Sequence, residues 1–245
     1  MTAPGHRLGV TLSPRASLDT ECAVVLLPGI GVPARTATPL AEHLPGVRVV
    51  TVGLRPTTAA GLADVRTRAE SFAEALLPGR TAERLLVVGH SMGAVVGLEL
   101  AHVLHRSAPG LVRGLVVAAQ VAPHRLPRHG PDHYTDDAVL GHVLGDRPLP
   151  PDLAAAPDFT SALVSRWRAD YLALDAYRPE RGRRVPADLH VWTGADDPVT
   201  ADPDDTTAWS EYGSARVTTR EFPGAHDFLF DDPARTAREL SLLLG

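Results

Sequence analysis

Apolar residues fall along the chain in short unbroken runs set off by turn residues, at 23–27, 47–52, 85–88, 115–118, 189–192 and 216–222. Runs this short, bounded by Gly, Pro and Asp, read as strands buried on both faces. Between them the apolar spacing changes to that of helices, over 36–44, 63–77, 93–105 and 235–243. In the second of these, Val65, Ala69, Phe72, Ala73, Leu76 and Leu77 share one face. The third is apolar nearly all round, which suits a helix packed at the centre of a fold. Strands that alternate with helices predict an α/β fold with a mostly parallel sheet covered on both sides.

One stretch breaks the alternation. Residues 123–157 offer no strand and carry many Pro, His and Asp, with a short helix predicted at Asp136–Leu144 and a longer one over 159–177. We read 123–175 as an insertion lying over the sheet, the place where an α/β enzyme commonly carries a lid. Without repeats or a low-complexity linker, 1–245 reads as one domain, a length within the usual range for a single α/β unit.

Composition narrows the function. A chain of 245 residues, 44% hydrophobic and 22% charged, is an ordinary globular protein, able to bury roughly 70% of its unfolded surface without cross-links. Cys22 is the lone cysteine, so no internal disulfide is possible, and it reads as a small buried residue; a reducing, cytoplasmic setting is expected. Residues 1–14 lack the basic-then-apolar pattern of a secretory signal, and no apolar run approaches the roughly 20 residues of a membrane span. The net charge of −5 argues against general nucleic-acid binding. All 24 basic residues are arginine, which excludes any mechanism that needs a lysine, P-loop and Schiff-base chemistry included.

The sharpest local signal is Leu85-Leu86-Val87-Val88-Gly89-His90-Ser91-Met92-Gly93-Ala94. It is a strand, then Gly-x-Ser-x-Gly, then a helix: the nucleophile elbow. The glycines leave room for a strained turn that lifts the Ser91 hydroxyl clear of the backbone, and the helix start brings N–H groups and a positive dipole end near the reacting oxygen. A hydroxyl needs a base to take its proton, and on such a sheet the chain order is Ser, then Asp or Glu, then His. The run at 189–192 leads into Gly194-Ala195-Asp196-Asp197-Pro198, and the run at 216–222 leads into Pro223-Gly224-Ala225-His226-Asp227-Phe228. His226 is the predicted base. Asp197, held extended by Pro198, is the predicted orienting acid, with Asp196 as its competitor. The other histidines fit less well: His90 is buried in the elbow, His190 sits on a strand, and His124, His129, His133 and His142 lie in the insertion. A metal site from His129, Asp132 and His133 is conceivable but is not the reading adopted; no metal and no cofactor are expected. The tetrahedral intermediate needs N–H donors, predicted to be the amides of Met92 and of Ile30, with Gly29 as the alternative to Ile30 in the turn Pro28-Gly29-Ile30-Gly31.

Taken together, these residues resemble the type II thioesterases that serve polyketide and nonribosomal peptide synthetases. The resemblance rests on Gly89-His-Ser-Met-Gly-Ala94, Ala122-Pro-His124, Arg168-Ala-Asp-Tyr171 with Tyr177-Arg178, Gly194-Ala-Asp-Asp-Pro198 and Pro223-Gly-Ala-His-Asp-Phe228. It implies an α/β-hydrolase fold and hydrolysis of acyl thioesters held on the phosphopantetheine arm of an acyl or peptidyl carrier protein, with the insertion as a flexible lid. A monomer without nucleic-acid or membrane partners is expected. Two segments depart from the family: Pro28-Gly29-Ile30-Gly31-Val32 stands for its usual Pro-His-Ala-Gly-Gly, and Val52-Gly53-Leu54-Arg55 for its Pro-Gly-Arg. A specialised acyltransferase or cyclase using the same triad is the alternative, followed by a non-catalytic carrier-binding module. Since carrier proteins are commonly acidic, Arg178, Arg181, Arg183 and Arg184 form a candidate docking patch, against the plainer reading of a solvated arginine-rich loop.

Overall fold

The computed structural model describes residues 10–12, 22–54, 64–77, 84–145 and 147–245. Most of the N-terminal stretch read above for a leader, Arg55, and the first residue of the helix expected at 63–77 lie outside them.

Among the described residues, seven strands form one sheet: β1 (Val10–Leu12), β2 (Cys22–Leu27), β3 (Arg48–Leu54), β4 (Arg84–His90), β5 (Val112–Ala118), β6 (Asp188–Gly194) and β7 (Val217–Phe222). Their order is β1-β3-β2-β4-β5-β6-β7. The last six are parallel, and β1 closes one edge antiparallel to β3. This is the α/β-hydrolase arrangement, and the six expected runs all became strands. The three-residue β1 had no signal in the sequence, being too short to show a pattern.

Side chains of the parallel strands alternate between two cores. Val25, Leu27, Val87, Leu115, Val117 and Leu189 point to one face, and Val24, Leu26, Leu86, Val88, Val116 and Trp192 to the other. Both sets are buried, which is why the strands read as continuous apolar runs. Helices cover each face: α1 (Thr38–Glu42) on the second, α2 (Val65–Leu76) and α3 (Met92–Ser107) on the first. The helix expected at 36–44 is split. A 3₁₀ turn, Ala34–Ala37, precedes α1, because Pro39 lacks an N–H and is tolerated only in the first turn of a new helix.

Between β5 and β6 the chain leaves the sheet. Here lie α4 (Asp136–Leu144), α5 (Pro151–Ala154) and α6 (Pro157–Ala176). Thr135 caps α4 by accepting the Ala138 N–H. The insertion has its own small core of Tyr134, Val139, Val164 and Trp167. After β6 come α7 (Pro203–Thr207) and a 3₁₀ helix, Ala208–Tyr212, whose Trp209 is fully buried and donates to the Gln120 carbonyl at 2.8 Å. The chain closes with α8 (Phe228–Asp231) and α9 (Pro233–Leu244), the latter capped by Asp232. Among the described residues, no helix is long and apolar enough to cross a membrane.

Candidate active site

The residues singled out in the sequence sit on loops at the C-terminal edge of the parallel strands, where such sheets hold their ligands. Ser91 follows β4, Asp197 follows β6 and His226 follows β7.

Ser91 adopts φ 54° and ψ −123°, a left-handed conformation rare for a residue with a side chain. Such a backbone costs about 1–3 kcal/mol and persists only where its surroundings enforce it. The enforcement is visible. Ser91 N–H donates to the Ala118 carbonyl at 2.8 Å. A Cβ on Gly89 would overlap the Gly93 backbone, and one on Gly93 would overlap the Leu27 carbonyl. Both glycines are therefore dictated by helix α3 closing directly onto strands β2 and β4.

Of the two adjacent acids, Asp197 is the one turned inward. It is 1% exposed, while Asp196 is exposed and contributes only its amide, to the Gly224 carbonyl. Both Asp197 oxygens lie 3.1 Å from His226 Nδ1. The same carboxylate accepts from Val199 N–H at 3.0 Å and from the Thr200 hydroxyl at 3.3 Å. Burial opposes its charge. The His226 hydrogen bonds and charge, with those from Val199 and Thr200, outweigh that penalty and hold the carboxyl below its ordinary value. Nδ1 is thereby engaged. Among the described residues the imidazole makes no other hydrogen bond, and none joins it to Ser91.

The loop bearing His226 is nonetheless seated on the elbow. His90, 1% exposed, puts its Nε2 2.8 Å from the His226 carbonyl oxygen, and the two rings lie 5.0 Å apart. The sequence had placed His90 in the elbow without a partner.

The turn after β2 approaches from the other side. Gly29 lies so close that a Cβ would come within 2.9 Å of both His90 Nδ1 and Ser91 Cβ. The amides of Ile30 and Met92 have no hydrogen-bond acceptor among the described residues, so both remain available as donors. The Ile30 side chain packs against the sheet core and against the core of the insertion. Beside it, a Cβ on Gly31 would collide with Val143 of α4. The insertion thus sits directly over this turn.

The Arg168-Ala-Asp-Tyr171 and Tyr177-Arg178 segment proves to be what ties the insertion down. Arg168 bonds the Tyr134 carbonyl at 2.7 Å and pairs with Asp136. Asp170 meets Arg68 of α2 at 2.6 Å, and Tyr171 stacks on Tyr134. Arg68, 4% exposed and near the Met92 sulfur at 3.9 Å, was not foreseen, since an arginine on the buried face of a helix carries no apolar signal. Tyr177 donates to buried Glu99 at 2.7 Å. Three members of the expected docking patch are engaged internally: Arg183 with Glu99 at 2.9 Å, Arg178 with the Asp175 carbonyl at 2.7 Å, and Arg184 with the Gly213 carbonyl at 3.4 Å. His129 and His133 stack at 4.1 Å, but no group of three potential ligands among the described residues could hold a metal.

Comparison with known proteins bears on this geometry. A family model described as a thioesterase domain matches residues 23–242. Phenyloxazoline synthase MbtB of Mycobacterium tuberculosis (strain ATCC 25618 / H37Rv) is 31% identical over 157 residues, 64% of this chain. The matched part is 11% of that synthase, so the chain spans a small fraction of this relative's length. Among solved structures, the type II thioesterase BorB from the borrelidin biosynthetic cluster superposes with a TM-score of 0.77 at 23% identity, over 96% of this chain and 97% of that one. RedJ, a thioesterase from the prodiginine biosynthetic pathway in Streptomyces coelicolor, gives 0.74 at 25% identity, over 100% and 90%.

Proposed function

The chain belongs to the thioesterase domain family, and on that footing we propose that it hydrolyses acyl groups from the phosphopantetheine thioester of an acyl or peptidyl carrier protein in polyketide or nonribosomal peptide biosynthesis. One observation carries the reading: a strained Ser91 at the elbow with an Asp197–His226 pair whose loop is seated against that elbow.

The steps follow from the residues. Ser91 Oγ attacks the thioester carbonyl carbon while His226 Nε2 takes the hydroxyl proton. Asp197 holds the ring with its proton on Nδ1 and stabilises the imidazolium. The amides of Ile30 and Met92 receive the oxyanion, each worth about 2.7–4 kcal/mol in the transition state. The C–S bond breaks, the imidazolium proton goes to the leaving thiol, and an acyl-serine remains. Water then attacks that ester with His226 again as base, releasing the free acid and restoring Ser91. Residues 123–175 act as the lid over the acyl chain, within one hydrolase unit formed by the whole chain.

The test is release of free acid from a short acyl group loaded on a phosphopantetheinylated carrier protein. Wild type should release it and Ser91→Ala should not. Wild type that leaves carrier thioesters, pantetheine thioesters and aryl esters all intact would remove the reading.

A further inference from the structure

Among the buried ionisable groups that the catalytic cycle above leaves unused, one adjoins the nucleophile. His90 is 1% exposed, next in sequence to the nucleophile, and enclosed by His226, by the edge-on ring of Phe230 at 5.1 Å and by Gly29. We infer that His90 is a positioning residue: its Nε2–H holds the His226 carbonyl oxygen at 2.8 Å and so fixes the backbone from which the base reaches toward Ser91.

The chemistry of the contact selects one form of the ring. A carbonyl oxygen only accepts, so Nε2 must carry the hydrogen and Nδ1 the lone pair. Nδ1 faces Gly29 and has no hydrogen-bond partner among the described residues, which makes a second ring proton unwelcome there. Burial, and secondarily the neighbouring His226, push the ring down to about 4, against the opposing pull of the hydrogen bond, of Asp227 at 3.8 Å and of Asp197. A neutral donor suits this place. His226 becomes positive when it takes the serine proton, and a charged ring 5.0 Å away would oppose that.

A structural spacer would also fill this space, but it would not depend on a donor at Nε2. The same ring touches both the turn that carries the Ile30 amide, through Gly29, and the loop that carries His226. His90 therefore gauges the separation of the two halves of the site that must close on one carbonyl group. A misplacement of about 1 Å in such a constellation is enough to lose roughly 100-fold in rate.

The inference rests on the reading of His226 as base, and its test uses a reaction independent of thioester chemistry: labelling of Ser91 by a fluorophosphonate probe. His90→Leu should lower the limiting labelling rate by about 100-fold with its half-saturating probe concentration unchanged, while His90→Gln, which keeps a donor, should recover most of the loss. A folded His90→Leu that labels at the wild-type rate, or His90→Gln as slow as His90→Leu, would overturn the inference. A second arm needs no variant. In ¹⁵N-histidine-labelled wild type, the His90 ring should remain neutral with its hydrogen on Nε2 between about pH 5 and 8. Protonation in that range, or the opposite tautomer, overturns it equally. Wild type that labels yet cleaves no thioester would dismiss the thioesterase reading alone.

Discussion

Asp197 offers both carboxylate oxygens to a single atom, His226 Nδ1, at 3.1 Å each. An asparagine can offer only one oxygen, and its NH₂ face would favour the wrong tautomer of the imidazole. Asp197→Asn is expected to lower kcat by about 10⁴-fold, the loss typical of that change in a Ser-His-Asp triad, with the thermal melt close to wild type. Asp196→Asn, on an exposed side chain with no contact to the ring, should stay within about twofold. Steady-state rates on an acyl thioester separate the two; equal losses would contradict the assignment of the inner acid.

Gly93 and Gly97 lie one turn apart on α3 and should respond differently to alanine. The Gly93 methyl would overlap the Leu27 carbonyl, a backbone atom that cannot yield, whereas the Gly97 methyl meets only side-chain atoms of Leu115, Leu27 and Val87 at 3.3–3.4 Å. Gly93→Ala is expected to lose more than about 4 kcal/mol of stability or fail to fold. For Gly97→Ala, helix propensity offsets tight packing and the change should stay within about 1 kcal/mol. Urea unfolding measures both.

Glu99 is a buried carboxylate shared by Tyr177 at 2.7 Å, Arg183 at 2.9 Å and Arg66 at 3.3 Å. Replacing it leaves the Tyr177 hydroxyl without its acceptor and Arg183 with only the exposed Glu180, so Glu99→Ala should cost about 1–3 kcal/mol. Because Tyr177 lies just past the end of the insertion, the same variant should be cut faster by protease within 123–175. Arg183→Gln should cost less, since Glu99 keeps its other two partners. A Glu99→Ala melt equal to wild type would refute the account.

Several histidines make the protein acid-sensitive, two of them most strongly. His90 and His102 are each pushed down from 6.5 to about 4, both chiefly by burial, with the His226 charge adding to the effect at His90 and Arg183 at His102. The unfolded chain therefore binds more protons than the folded one in this range, and stability falls as pH drops from about 6.5 toward 4. Each site contributes at most about 3 kcal/mol to that fall. Asp197 acts in a lower window: its pairing stabilises the fold above its ordinary value of 3.8 and is lost as pH falls through the depressed one. Urea midpoints at pH 7 and pH 5 should differ accordingly, and His102→Gln should flatten the difference. Identical midpoints for wild type would count against it.

The sheet was legible because β2, β4, β5 and β6 are buried on both faces and so read as plain apolar runs. The elbow was legible because sterics leave no alternative to glycine at 89 and 93. What escaped was held by single polar contacts between distant segments. Arg68 with Asp170, Tyr177 with Glu99, and His90 with the His226 carbonyl are 102, 78 and 136 residues apart in sequence, and no periodicity announces such partners. Asp196 and Asp197 differ only in which way the turn directs them. The arginine-rich stretch at 178–184 was open for a related reason: a row of charges says nothing of the carbonyls and the carboxylate that three of its members meet.

Ile30 belongs to two hydrophobic clusters at once, one under the sheet's edge and one in the roof. Raising the roof over a bulky acyl chain would strip apolar cover from the residue whose amide is assigned to the oxyanion. With the insertion acting as the proposed lid, admission and reactivity would work against each other: the catalyst would reach full strength only once its guest is enclosed, and an oversized guest would disarm it by holding the door ajar.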